Sequence, residues 1–183
     1  MRDGRAWRLT HIENPDGLRV RLHFADGRLA GLTDPAGRRI QATTDGKGRI
    51  TELSFVTEKG NETLVSYTYD KEGNMTGITD ALGKTTRMTY SGHLMTEKTD
   101  RNGDTYCWEY DGKGRCTHTY GRDGMMEGHI EYHPEKGYNL VTDSTGGTTT
   151  YRYTPEQLIT AEIDPLGNET RHSYTDYMEP YRT

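Results

Sequence analysis

The stretch Tyr69-Asp70-Lys71-Glu72-Gly73-Asn74-Met75-Thr76-Gly77-Ile78-Thr79-Asp80-Ala81-Leu82-Gly83 decides the fold. It contains two Asp-x-x-Gly segments joined by a short run that holds Met, Thr and Ile. Asp at the first position of a β-turn can accept hydrogen bonds from the backbone ahead of it, and Gly at the fourth tolerates a positive φ. Two turns this close leave room only for short strands.

Outward from this stretch, the second turn recurs as Asp34-Pro35-Ala36-Gly37, Asp100-Arg101-Asn102-Gly103, Asp143-Ser144-Thr145-Gly146 and Asp164-Pro165-Leu166-Gly167. The first turn recurs as Asp111-Gly112-Lys113-Gly114 and, shortened, as Ala25-Asp26-Gly27. An apolar residue follows most first turns: Leu29, Ile50, Met75, Leu94 and Leu158, with Cys116 in that place once. Tyr69, Tyr90, Tyr110, Tyr132, Tyr153 and Tyr174 are spaced by 21, 20, 22, 21 and 21 residues. Phe24 holds the same place in an earlier unit, and Thr44 in a degenerate one. The turn glycines give the same period independently, which is the signature of a repeat architecture. Residues 1–174 are therefore an array of about eight repeats of about 21 residues, and 175–183 form a degenerate tail in which the glycine turn is expected to be missing.

Between turns lie runs such as Thr148-Thr149-Thr150-Tyr151-Arg152-Tyr153. Tyr67 and Tyr69 are two apart, as are Tyr151 and Tyr153, so each pair shares one face of a strand. No sustained helical period or helix start signal is present. The expected fold is all-β: tandem strand-turn-strand units forming a twisted, spiralling antiparallel sheet, each unit buried only by its neighbours.

Composition is consistent with this. Leu, Ile, Val and Phe total 25 of 183 residues, but there are 13 Tyr and 28 Thr. Tyr buries a large ring while its hydroxyl finds a partner. The aromatic ladder of Phe24, Tyr67, Tyr69, Tyr90, Tyr110, Tyr132, Tyr151, Tyr153 and Tyr174 is thus expected to supply the core. The formal charge of -5 and the scattered Lys and Arg argue against nucleic-acid binding, which requires a basic face. No stretch approaches the ~20 apolar residues of a membrane-spanning helix. Residues 1–5 carry no apolar signal region, and the chain is expected to begin inside a repeat. Cys107 and Cys116 flank a turn; if Tyr110 pairs with Arg115 they lie diagonally, about 7–8 Å apart, and are expected to be free thiols.

The pattern Tyr-Asp-x-x-Gly-x-hydrophobic-Thr-x-hydrophobic-Thr-Asp-x-x-Gly resembles the Rhs/YD repeat, and the resemblance covers residues from about Gly4 to Tyr174. The opening run from Trp7 to Gly17 also resembles bacterial Rhs units. The resemblance implies a segment of a hollow β-shell that encloses a C-terminal toxin, in a bacterial protein that is secreted or displayed at the cell surface. Such proteins act in interbacterial competition, often through type VI secretion, or form the shells of insecticidal toxin complexes. It also implies a non-catalytic role, with the remaining repeats and a toxin cargo as partners. The alternative is an adhesion or carbohydrate-binding array. Asp164-Pro165-Leu166-Gly167 resembles the start of a cargo-release signature, but Asn168 follows where an apolar residue belongs, so this segment is read as a turn.

No cofactor or metal is assigned. His129 and His133 are four apart on an expected strand, about 13 Å from each other, too far to share an ion. Asp100-Arg101-Asn102-Gly103-Asp104 places glycine too early for a calcium loop. No catalytic residues are assigned. The ends, from the expected turn at Asp3-Gly4 to the failed unit after Tyr174, predict open edges and self-association. Thr148-Thr149-Thr150 is the candidate edge.

Overall fold

The structure, a computed structural model, describes residues 7–180. These residues form sixteen strands and two single-turn 3-10 segments. The chain divides into two compact units, the first ending at Met88 and the second beginning at Thr89. The first holds β1 (His11–Glu13), β2 (Arg19–Ala25), β3 (Arg28–Thr33), β4 (Arg39–Thr44), β5 (Ile50–Thr57), β6 (Gly60–Tyr69), β7 (Met75–Asp80) and the start of β8 (Thr85–Ser91). The second holds the end of β8, β9 (Leu94–Thr99), β10 (Thr105–Tyr110), β11 (Cys116–Gly121), β12 (Gly128–His133), β13 (Tyr138–Asp143), β14 (Thr148–Tyr153), β15 (Ile159–Ile163) and β16 (Glu169–Arg171). Within each unit, strands that follow one another in sequence pair antiparallel. This is the simplest outcome for short strands joined by tight turns, because no crossover connection is needed.

One turn geometry closes most hairpins. At Asn14, Asp34, Asp45, Asp70, Asp80, Asp100, Asp111, Asp143, Thr154, Asp164 and Thr175, the first residue donates its N–H to the carbonyl four residues on. Its own carbonyl accepts the N–H three residues on. This is a three-residue hairpin loop with a positive-φ residue at its end. Residue 178 takes that place in the last turn: Thr175 N–H donates to Glu179 O at 2.8 Å, Met178 N–H donates to Thr175 O at 2.9 Å, and Tyr174 bridges Pro180. The expectation of a missing turn after Tyr174 is therefore corrected. Thr stands in for Asp as acceptor, and Met178 carries the positive φ of 63° normally left to glycine.

The strand after five of the first turns carries one extra residue, whereas β12 and β13 pair without a shift. Tyr69 opposes Met75 while Thr68 opposes Gly77, so Thr76 is bulged out of the ladder. By the same count the bulged residues are Ala30, Thr51, Thr117 and Thr160. Thr51, Thr117 and Thr160 each donate the hydroxyl to a carbonyl of the partner strand, on Thr43, Glu109 and Arg152. A bulge raises the local right-handed twist, so Thr51, Thr76, Thr117 and Thr160, like Ala30, help to curl the sheet. The register corrects two expectations. The apolar position read as Leu158 is held by Ile159, which faces Tyr153, while Leu158 closes the turn. Tyr110 faces Cys116 rather than Arg115, and Cys107 faces Tyr120, leaving both cysteines as free thiols.

Little is enclosed. Among the described residues the buried hydrophobics are Ala42, Met88 and Ala161, and no side chain is below 2% exposed. Small residues mark the tightest places: a Cβ on Gly31 would lie 2.4 Å from the Ile40 carbonyl oxygen. The ladder tyrosines are half-buried, so the expectation that they form a core is corrected to a partly covered face. Within each unit the described strands pair side by side in one sheet, and a sheet face is sealed only where another layer packs on it. β14 pairs with both β13 and β15, so Thr148-Thr149-Thr150 is interior, not an edge. The expected turn at Asp3-Gly4 and any contact from Tyr181 lie outside the described residues.

Candidate functional site

The turn residues act as backbone acceptors. The Asp80 carboxylate takes the N–H groups of Leu82 and Lys84 at 2.9 and 3.0 Å. Asp34, Asp100, Asp143 and Asp164 each accept the same two N–H groups from one oxygen, at distances between 2.8 and 3.1 Å. Gly37, Gly83, Gly103, Gly146 and Gly167 close these turns. The carboxyl pKa values of Asp34, Asp45, Asp70, Asp100, Asp111, Asp143 and Asp164 fall below the ordinary 3.8. At Asp45 and Asp111 the main cause is the N–H of Arg49 and Arg115. At Asp143 and Asp164 it is the side chains of Thr145 and Asn168. These carboxylates are held by the donors of their own turns, which favours the charged form.

The aromatic ladder joins one repeat to the previous one. Tyr69 donates its hydroxyl to Ile50 O at 2.7 Å, Tyr132 to Cys116 O at 2.7 Å and Tyr174 to Ile159 O at 2.8 Å. Ile50, Cys116 and Ile159 are the residues facing the ladder position one repeat earlier, occupied by Thr44, Tyr110 and Tyr153. Tyr110 donates to Met95 O at 2.6 Å, and Tyr153 to the Asn139 side-chain oxygen at 3.2 Å. Burial pushes the phenols of Tyr69, Tyr110 and Tyr132 up. Phe24, with no hydroxyl, instead lies under the Arg8 guanidinium at 4.8 Å. Tyr67, Tyr90 and Tyr151 are half-buried on β6, β8 and β14.

Arginines complete the joint. Arg49 pairs with Asp45 in its own turn at 2.7 Å and lies 4.4 Å over the Tyr69 ring of the next repeat. Arg115 does the same with Asp111 and Tyr132, at the same two distances. The sequence signal for this was Arg immediately after the turn glycine, a position not singled out above. In the second unit the ladder borders an open groove of about 790 Å³ lined by Ile130, Tyr132, Val141, Tyr151, Tyr153 and Pro155. Among the described residues that line it, Arg115 carries the charge and the rest are apolar or neutral polar. His129 and His133 lie apart on β12: the ring of His129 stacks on His118, and that of His133 meets Tyr138.

The family model of the teneurin YD-shell matches residues 20–152, most of this ladder and its turns. The chain belongs to the teneurin YD-shell family. This YD-shell segment is 25% identical over 187 aligned residues to the probable deoxyribonuclease RhsB of Dickeya dadantii, covering 96% of the chain. It is 26% identical over 182 to the probable deoxyribonuclease RhsA of the same organism, covering 93%. It spans 13% of the length of each relative. Among solved structures it resembles a complex of TcdB2, TccC3 and Cdc42 at a TM-score of 0.64, with 14% identity over 89% of the chain and 10% of the other. It also resembles the Tc holotoxin pore of Photorhabdus luminescens at a TM-score of 0.62, with 14% identity, 88% and 10% coverage. The YD-shell segment is a Rhs/YD-repeat unit array with a structural role in a shell wall.

Proposed function

We propose that this chain is a non-catalytic wall segment of a bacterial β-shell that encloses a toxin cargo in an exported system. The carrying observation is the ladder. Tyr69, Tyr110, Tyr132 and Tyr174 donate their hydroxyls to the backbone of the preceding repeat, and the turn carboxylates accept from their own loops, so these repeating groups are used for propagation of the sheet. Such nearest-neighbour joints suit an array that continues into further repeats. The deoxyribonuclease name of the relatives belongs to proteins of which this chain matches 13%, and under this reading nuclease activity resides elsewhere in such proteins.

The test is a graft. This chain replaces the matching stretch of RhsB, and the assembled protein is challenged with protease. An intact particle that shields its cargo as the parent does supports the wall role; a cargo as accessible as after deletion of the stretch refutes it. Nuclease screens on the isolated chain should be blank, and a turnover abolished by one substitution would overturn the reading. The adhesion alternative predicts retention on a glycan array at physiological salt. The engaged hydroxyls of Tyr132 and Tyr153 leave less of the groove free to hydrogen-bond a sugar, which favours the wall.

A further inference from the structure

We propose that His118, Glu127 and His129 form a binding site for one divalent transition-metal ion of the zinc class. His118 on β11 and His129 on β12 are direct register partners, so both imidazoles rise from the same face of the sheet. Their rings stack with centroids 4.1 Å apart and planes 8° from parallel. The irregular segment between the two strands, which contains the 3-10 turn Arg122–Gly124, brings Glu127 back over the same place. Glu127 Oε1 is 3.0 Å from His118 Nε2 and 3.5 Å from His129 Nε2. The three ligand atoms lie within 4.8 Å of one another.

These spacings suit a metal. Tetrahedral zinc with bonds of about 2.0–2.1 Å holds neighbouring ligand atoms roughly 3.3 Å apart, a value that falls between the two Glu–His distances. Bringing both nitrogens to one ion requires His129, whose side chain is 54% exposed, to turn out of the stack so that its in-plane lone pair converges with that of His118. The second nitrogen of His118 is also provided for: Nδ1 lies 3.5 Å from Glu109 Oε2 on β10. Without an ion, Nε2 is hydrogen-bonded to Glu127 Oε1 at 3.0 Å; an ion would take the place of that proton, and Glu109 is then placed to receive the proton on Nδ1, the usual outer support of a metal-bound histidine. Tyr120, its ring 4.7 Å from that of His118, limits the ring from another side. Two imidazoles and one carboxylate favour zinc, nickel or copper over calcium or magnesium, and the fourth position is left to water. The ion would clip β11, β12 and the connecting segment together where the regular turn is replaced by a longer link.

The site is independent of the shell reading and is tested with the metal alone. Zinc chloride is titrated calorimetrically into the 183-residue chain, and cobalt is substituted to read coordination from its visible absorption. The expected result is one ion per chain, a tetrahedral cobalt spectrum, and a melting temperature raised by zinc and restored by chelator. His129→Gln, at an exposed position, should weaken binding at least tenfold with an unchanged circular dichroism spectrum, and Glu127→Gln should do the same. His133→Gln should leave binding unaltered. Absence of saturable binding, or binding that survives both His129→Gln and Glu127→Gln, would overturn the proposal.

Discussion

Position within the turn decides what each residue contributes. Gly83 sits at φ +76° with open space around its missing Cβ, so a substitution there is strained by backbone conformation and not by collision. Gly83→Val should cost about 1–3 kcal/mol, while Gln157→Gly, which relieves a φ of 66° at the equivalent place, should raise the melting temperature. Equal melting temperatures for both variants and the parent would contradict the turn assignment. Tyr69→Phe keeps the ring under Arg49 and removes only the bond to Ile50 O. It should cost about 0.5–1.5 kcal/mol, read by chemical denaturation; Tyr67→Phe serves as the comparison. The turn carboxylates set the acid limit. Their folded pKa values lie below the ordinary 3.8, held down by backbone and side-chain donors at Asp45, Asp111, Asp143 and Asp164. A depressed carboxyl pKa adds stability that is present above the unfolded value and is lost as pH falls through the folded one. Melting temperature should therefore be level above about pH 5 and fall below about pH 4. A decline that began near neutrality would point to other groups.

The element that repeats is a hairpin with a built-in bulge. Thr76, Thr117 and Thr160 show why the residue after the apolar position is Thr: a bulged residue leaves a partner-strand group uncovered, and a short hydroxyl reaches it. The second turns are flanked by another pair, as in Thr79 with Thr85 at 2.9 Å, Thr99 with Thr105 at 3.0 Å and Thr142 with Thr148 at 2.9 Å. Cross-strand Thr pairs of this kind add a few tenths to about 1 kcal/mol each, which compensates for the low aliphatic content. Because β14 is flanked on both sides, Thr150, opposite Leu140 and Ile163, is a ladder residue. Thr150→Pro should cost about 1–3 kcal/mol through the orphaned carbonyl opposite it, and hydrogen exchange should quicken in β13 and β15 first. Unchanged protection in both neighbours would show that the strand is not interior.

For the molecule as a whole, far-UV circular dichroism should show β-structure with little helix. Among the described residues β1 and β16 each appear in one strand-to-strand ladder. Unpaired strand groups are templates for another chain, so the 183-residue chain is expected to self-associate with rising concentration in sedimentation velocity. A single monomeric species at every concentration would argue against it. Repetition made the fold class legible: Tyr at 20–22-residue intervals, with Asp and Gly in register, specifies alternating turns and strands whatever the aliphatic content, because turn chemistry is local. The turn at Thr175 escaped notice because Thr can replace Asp as acceptor and Met178 can accept a positive φ, substitutions that leave no glycine to mark the place. Register escaped too. A bulge adds one residue without changing composition, so only paired strands reveal that Tyr110 faces Cys116 and Tyr153 faces Ile159. The sequence by itself determined the period, the Asp-x-x-Gly turns and the family. Tertiary structure alone decided which carbonyl each tyrosine reaches and that His118 meets His129 across a strand pair, because those contacts join residues 11 to 19 apart whose meeting depends on bulge and link geometry that no local preference encodes.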